Sequence, residues 1–113
     1  MAPRTAPSVI VIVEDPFIRR FVRTVLGHSG EDVQEKNAED AFKLAKEGPG
    51  TVKLLITNKP EVFKTFDKSV PILYLAAMPD MELASRFSNI RVLQKPFSSQ
   101  DLLAAVNEVT NLA

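Results

Sequence analysis

Residues Ser8 to Phe17 read SVIVIVEDPF, and this stretch constrains the fold more than any other. Five β-branched apolar residues, Val9 to Val13, run without alternation. A short apolar run bounded by turn residues suits a strand buried on both faces, as in a parallel sheet. Glu14 and Asp15 follow at once, then Pro16. Proline is at home in the first turn of a helix, where its missing N–H costs nothing, and aspartate in the cap before it. The acids therefore stand where a central strand ends and a helix begins, the place where open α/β sheets build their sites. Position alone allows two roles for them, holding a cation or capping the helix.

The rest of the chain repeats this alternation. Phe17, Ile18, Phe21, Val22, Val25 and Leu26 form a helical stripe of the kind that packs on a sheet, with Arg19, Arg20 and Arg23 off it. His28 and Gly30 mark the helix end, Gly30 as a left-handed cap. Residues Glu31 to Lys36 hold little apolar but Val33 and suit a polar edge strand. Asn37 caps a second helix with inward Ala38, Ala41, Phe42 and Ala45, and Gly48-Pro49-Gly50 ends it. Strands follow at Val52 to Thr57, Pro71 to Ala77 and Ile90 to Leu93. Pro79 opens a helix with Leu83, Ala84 and Phe87 inward. Lys95-Pro96-Phe97 makes a turn, and Ser98 with Asp101 boxes a last helix whose inner face is Leu102, Leu103, Val106 and Val109. Strands alternating with helices predict a parallel, doubly wound sheet.

One connection is too short. Twelve residues, 59 to 70, separate Asn58 from Pro71. A helix of about 11 residues with two loops of about 4 needs nearly twenty. The third helix is therefore expected to be shortened or missing, with one turn near Glu61 to Asp67 and with Val62, Phe63 and Phe66 covering the sheet.

Composition narrows the function. The 14 basic and 14 acidic residues balance, which argues against a nucleic-acid module. With no cysteine there is no disulfide frame or thiolate zinc site. No apolar run approaches the roughly 18 residues of a membrane span. Residues 1–7 lack a signal-peptide core and read as a disordered lead, so 8–113 is taken as one domain in a cytoplasmic protein.

The strand-ending pair Glu14-Asp15, five βα units and Lys95-Pro96-Phe97 before the final helix together resemble the receiver domain of two-component response regulators. The resemblance covers nearly the whole chain from Ser8. It implies a flavodoxin-like fold of strand order 2-1-3-4-5 and a cis peptide bond before Pro96. It also implies the family's reaction. An aspartate ending the third strand takes a phosphoryl group from a histidine kinase while the acidic pair helps hold Mg²⁺. A Ser or Thr ending the fourth strand and the lysine of the K-P turn bind the phosphoryl oxygens. An aromatic residue on the fifth strand reports the event.

Position by position, only part of this carries over. The acidic pair matches at Glu14 and Asp15, the lysine at Lys95 and the proline at Pro96. The acceptor position falls on Asn58, the hydroxyl position on Ala76 and the aromatic position on Val92. A neutral amide is no substitute for a carboxylate nucleophile. It also removes a charge from the cation site, so Glu14 and Asp15 are expected to bind Mg²⁺ only weakly, and first to serve structure. Lys95 is expected to pair with Asp15 or Glu14 and to meet the Asn58 side-chain oxygen.

The resulting expectation is a degenerate receiver acting by protein–protein interaction. Its partner would be a histidine kinase, an output domain or another regulator, with a homodimer left open. The contact face would comprise the fourth helix, fifth strand and fifth helix, through Glu82, Arg86, Arg91, Gln100, Ala104 and Glu108. The alternatives are an active receiver with a displaced acceptor such as Glu61 or Asp67, and a flavodoxin-like domain binding a small molecule at the strand ends. Arg19, Arg20 and Arg23 read as a solvated face and His28 as a helix-end residue. A single histidine and no cysteine leave little for a catalytic triad, and the domain is not expected to be an enzyme.

Overall fold

The computed structural model describes residues 8–48, 50–66 and 68–111, so the lead expected at 1–7, Pro49 and Asp67 lie outside the described residues. Strand β1 (Val9–Val13), α1 (Pro16–His28), β2 (Val33–Glu35), α2 (Ala38–Ala45) and β3 (Val52–Thr57) come first. They are followed by a 3₁₀ turn (Pro60–Phe63), β4 (Ile72–Ala76), α3 (Met81–Ala84), β5 (Ile90–Gln94) and α4 (Ser99–Asn111). All strand pairs are parallel and the order is β2-β1-β3-β4-β5, the flavodoxin-like order expected. Among the described residues no helix is long and apolar enough to cross a membrane.

The two faces of the sheet bury different partners. Ile10, Ile12, Leu54, Ile56, Leu73 and Leu75 point to one side, under Val22 and Leu26 of α1 and Leu102, Val106 and Val109 of α4. Val9, Val11, Leu55 and Ile72 point to the other, under Ala41 of α2 and Phe63 and Phe66. Burying each such aliphatic or aromatic side chain contributes about 1.5–3 kcal/mol. Lys53 is the extra residue of a bulge in β3 where the register against β1 shifts, and its ammonium meets Glu31 at 2.6 Å.

The helix starts follow the local chemistry. Asp15 accepts from the N–H groups of Phe17 and Ile18, Asn37 from Asp40, and Asp80 from Leu83. Ser98 and Asp101 exchange bonds of 3.0 Å in a reciprocal capping box. Gly30 has a φ of +86°, the left-handed conformation expected after α1.

Four expectations need correction. Phe17 and Phe21 do not pack on the sheet; Phe17 is 89% exposed, because at the first turn of α1 its side chain clears the sheet edge. Val62 is also exposed, leaving Phe63 and Phe66 to cover β3 and β4. They do so with Phe42 in a three-ring cluster whose centroids lie 5.1 to 5.6 Å apart. The turn in this connection runs over Pro60–Phe63 rather than from Glu61 to Asp67, because Pro60 supplies the fixed φ that starts it. Finally, α3 begins at Met81 behind its Asp80 cap, not at Pro79, and spans one turn.

Candidate functional site

The carboxyl ends of β1, β3, β4 and β5 bring Glu14, Asp15, Asn58, Ala76, Lys95 and Pro96 to one end of the sheet. Glu14 turns inward and its side chain has no solvent exposure. One carboxylate oxygen, Oε1, accepts the backbone N–H of Asp15 at 2.9 Å. The other, Oε2, lies 3.1 Å from Lys95 Nζ, at an angle that leaves it without a hydrogen bond. Burial pushes the Glu14 carboxyl above its ordinary range, opposed by the Asp15 N–H and the Lys95 ammonium. Of the two acids, the lysine thus pairs with Glu14.

Asp15 faces outward. Its Oδ1 accepts from the N–H groups of Phe17 and Ile18 at 3.1 Å each. That is a helix cap, the role its place before Pro16 suggested. Both acids are therefore engaged structurally, and Asn58 adds no charge beside them. Among the described residues no three of His, Cys, Asp and Glu gather as a metal-holding group. Mg²⁺ binds through hard anionic oxygens, and beside Asn58 the carboxylates of Glu14 and Asp15 are the two groups that would offer them.

The acceptor and hydroxyl positions are equally plain. Asn58 is half-buried directly after β3, and no hydrogen bond joins it to Lys95, contrary to expectation. The lysine lies toward Glu14, where charge attraction exceeds anything a neutral amide oxygen offers. The Lys95 backbone N–H donates to the Ala76 carbonyl at 2.8 Å, which fixes the turn against β4. The Lys95–Pro96 bond is cis, as the resemblance implied. Val92 pairs in register with Tyr74, so an aromatic ring does stand beside this position, on the neighbouring strand. It is buried, and its hydroxyl accepts the Asp80 N–H at 3.0 Å, which holds the β4–α3 connection. Glu61 is exposed in the 3₁₀ turn, and Asp67 lies outside the described residues.

Three neighbours of the site escaped sequence reasoning. Thr57 is fully buried, and its hydroxyl accepts the Lys59 N–H at 3.1 Å, turning the chain after Asn58. Gln94 donates to the Ala77 carbonyl at 3.1 Å and ties β5 to the chain leaving β4. Met78 is 90% exposed and joins Phe17 among the large apolar side chains in water near the strand ends. A groove of about 440 Å³ between α1 and the Lys95–Phe97 turn lies beside them, lined by Phe21 and Phe97, whose rings are 5.9 Å apart. The signal available for Thr57 was its place last in an apolar run; for Gln94 and Met78 there was none.

Glu82, Arg86, Arg91, Gln100, Ala104 and Glu108 are all exposed. Glu82 pairs with Arg86 at 3.2 Å, and Arg91 of β5 reaches Glu108 of α4 at 2.8 Å. On α1, Arg19 and Arg23 both meet Glu35 of β2, at 2.7 and 2.9 Å. That pair is not the purely solvated face expected of it, because edge-strand Glu35 supplies a carboxylate within reach.

No family model matches the chain, and no curated protein does. Solved structures do. A signal receiver domain of an HD domain-containing protein from Pseudomonas fluorescens Pf-5 superposes with a TM-score of 0.75 at 20% identity, covering 99% of this chain and 93% of its own. A response regulator receiver protein from Sinorhizobium medicae WSM419 gives 0.72 at 21% identity, with 94% and 95% covered. The Vibrio cholerae chemotaxis protein CheY4 gives 0.70 at 21% identity, with 91% and 99% covered. At these identities the likeness is one of fold, and it spans nearly the whole of both chains.

Proposed function

We propose that this chain is a receiver-type signalling module that acts by contacting a protein partner and is not switched by aspartyl phosphorylation. The observation that carries this is Asn58, an amide at the end of β3 where phosphoryl chemistry needs a carboxylate nucleophile. The surroundings agree. Ala76 brings no hydroxyl, and Lys95 is already committed to Glu14. Exposed apolar side chains near the strand ends, Phe17 and Met78, suit a protein contact better than a solvated switch. The partner is of two-component type: a histidine kinase, an output domain or another regulator. The face of α3, β5 and α4, with its exposed charges, is the proposed second part of the contact.

Intact mass after incubation with Mg²⁺ and a small phosphoryl donor tests this, with Asn58→Asp alongside. Wild type is expected to stay unmodified and the variant to gain one phosphoryl group. A wild-type adduct mapped to Glu61 or to any other acid would overturn the proposal and restore a displaced-acceptor switch.

A further inference from the structure

Helix α1 carries a projection and a hollow side by side. Phe17 stands 89% exposed on its first turn. One turn on, Phe21 lines the groove of about 440 Å³ with Ile18, Ala77, Pro96 and Phe97. The charged side chain in its wall is Lys95, which is turned toward Glu14. The rings of Phe21 and Phe97 are tilted at 56° to each other, and both are partly open to water. A third ring entering beside them gains tilted aromatic contact. The hollow thus suits the kind of side chain that projects next to it.

Charge is arranged in the same self-complementary way. Arg19 and Arg23 share Glu35, whereas neighbouring Arg20 is exposed and forms no ion pair among the described residues. Asp15, exposed at the head of the same helix, uses one oxygen for its own helix cap and meets no cation among the described residues. The 14 basic and 14 acidic residues of the chain balance, so two copies do not repel through net charge.

We propose that two copies of this chain form an isologous dimer in which Phe17 of each fills the groove beside Phe21 and Phe97 of the other. A two-fold axis there runs the two α1 helices antiparallel across the contact and offers each Arg20 the other copy's Asp15. With Phe17 at 89% and Phe21 at 38%, the two rings expose on the order of 250 Å² per chain, roughly a third of what one side of a standard interface buries. Pro16, Ala77, Met78 and Pro96, all exposed around them, extend the patch toward that size. The second copy is thus the partner for the strand-end contact proposed above, and the dimer rests on that contact reading, not on the chemistry at Asn58.

Sedimentation equilibrium of the full chain, from about 1 μM to about 1 mM, tests this. Wild type is expected to show a reversible monomer–dimer equilibrium. Phe17→Ser removes the projection and Ala77→Trp fills the hollow, and each should weaken the dimer at least about thirtyfold. Arg20→Glu should weaken it about tenfold by setting like charges against each other. Phe17, Arg20 and Ala77 are exposed, so the circular dichroism spectrum should not change. A mixture of the Phe17→Ser and Ala77→Trp chains keeps one projection and one hollow that still match. It should therefore associate at least about fivefold more tightly than either variant alone. A wild type that stays monomeric throughout overturns the dimer but leaves the contact reading to its own test with a different partner. A dimer indifferent to Phe17→Ser and Ala77→Trp overturns it by placing association on another face. A mixture no tighter than its components overturns the exchange of rings.

Discussion

Replacing Lys95 by methionine strands Glu14, whose side chain has no exposure to water. Unit charges 3.1 Å apart attract by about 5 kcal/mol at an effective dielectric of about 20. The observable loss is smaller, because a stranded carboxylate takes up a proton instead of staying charged. From an ordinary value of 4.5, that uptake costs about 3.4 kcal/mol at pH 7 and about 0.7 kcal/mol at pH 5. Lys95→Met should therefore lower the unfolding free energy by about 3 kcal/mol at pH 7 and by less than about 1 kcal/mol at pH 5. The sign follows from burial. Glu14 already sits above its ordinary value, so the folded chain keeps a proton that the unfolded chain releases. The stability this group contributes is complete below the unfolded value and falls as pH rises through the folded one. Removing the ammonium raises the folded value further and extends the fall to higher pH. Urea denaturation followed by circular dichroism at both pH values measures this, with Glu14→Gln and the double variant completing the cycle. Glu14→Gln should lose the pH dependence and match or exceed wild type at pH 7. An equal loss for Lys95→Met at both pH values would refute the reasoning, since it would place the lysine's contribution in its alkyl packing rather than its charge.

The aromatic cluster offers a larger effect. Phe63→Ala should cost about 3–5 kcal/mol in denaturant unfolding, because the ring is 1% exposed and anchors the segment that stands in for a helix. Asp101→Ala breaks the reciprocal box before α4 and should cost about 1 kcal/mol by the same assay. Reversing Arg91 to Glu should move stability by less than about 1 kcal/mol, because its pair with Glu108 is about half exposed on both sides. If partner capture then falls, the β5 face carries recognition rather than stability. Phe17→Ser should leave thermal unfolding within about 0.5 kcal/mol of wild type while weakening partner binding in a pull-down.

Where the sequence carried strong local signals, the fold was legible. The unbroken run at Val9–Val13 set the central strand, and the capping residues Asp15, Asn37 and Ser98 set helix starts to within a residue. The short connection after Asn58 announced its missing helix by length alone. What could not be read was orientation at element ends. Phe17 has the right spacing for the buried stripe, but at the first turn of α1 the same angle points past the sheet into water. Val62 fails for the same reason within a turn of four residues. Within the site, the partner of Lys95 depends on which acid turns inward, and adjacent residues on a strand end face opposite ways. That Glu14 is the inward one follows only from the backbone path into α1. The cavity under β4 and β5, between Phe63 and Phe87, needs two separated segments to meet, which no local pattern encodes.

The outer edge of β5 has a consequence for self-association. Among the described residues the order β2-β1-β3-β4-β5 leaves one side of this five-residue strand without a partner, and Val92 and Leu93 on it are only half-buried. An unpaired, apolar edge is a template for a strand from another molecule. Arg91 and Gln94 interrupt it, the first reaching Glu108 and the second the Ala77 carbonyl. Arg91 therefore acts as a gatekeeper. An incoming strand would have to bury or displace a charge at the second residue of the edge. A chain with Val at both 91 and 94 should lose that protection and form intermolecular sheet on concentration, visible as thioflavin fluorescence from a protein whose own fold is unchanged.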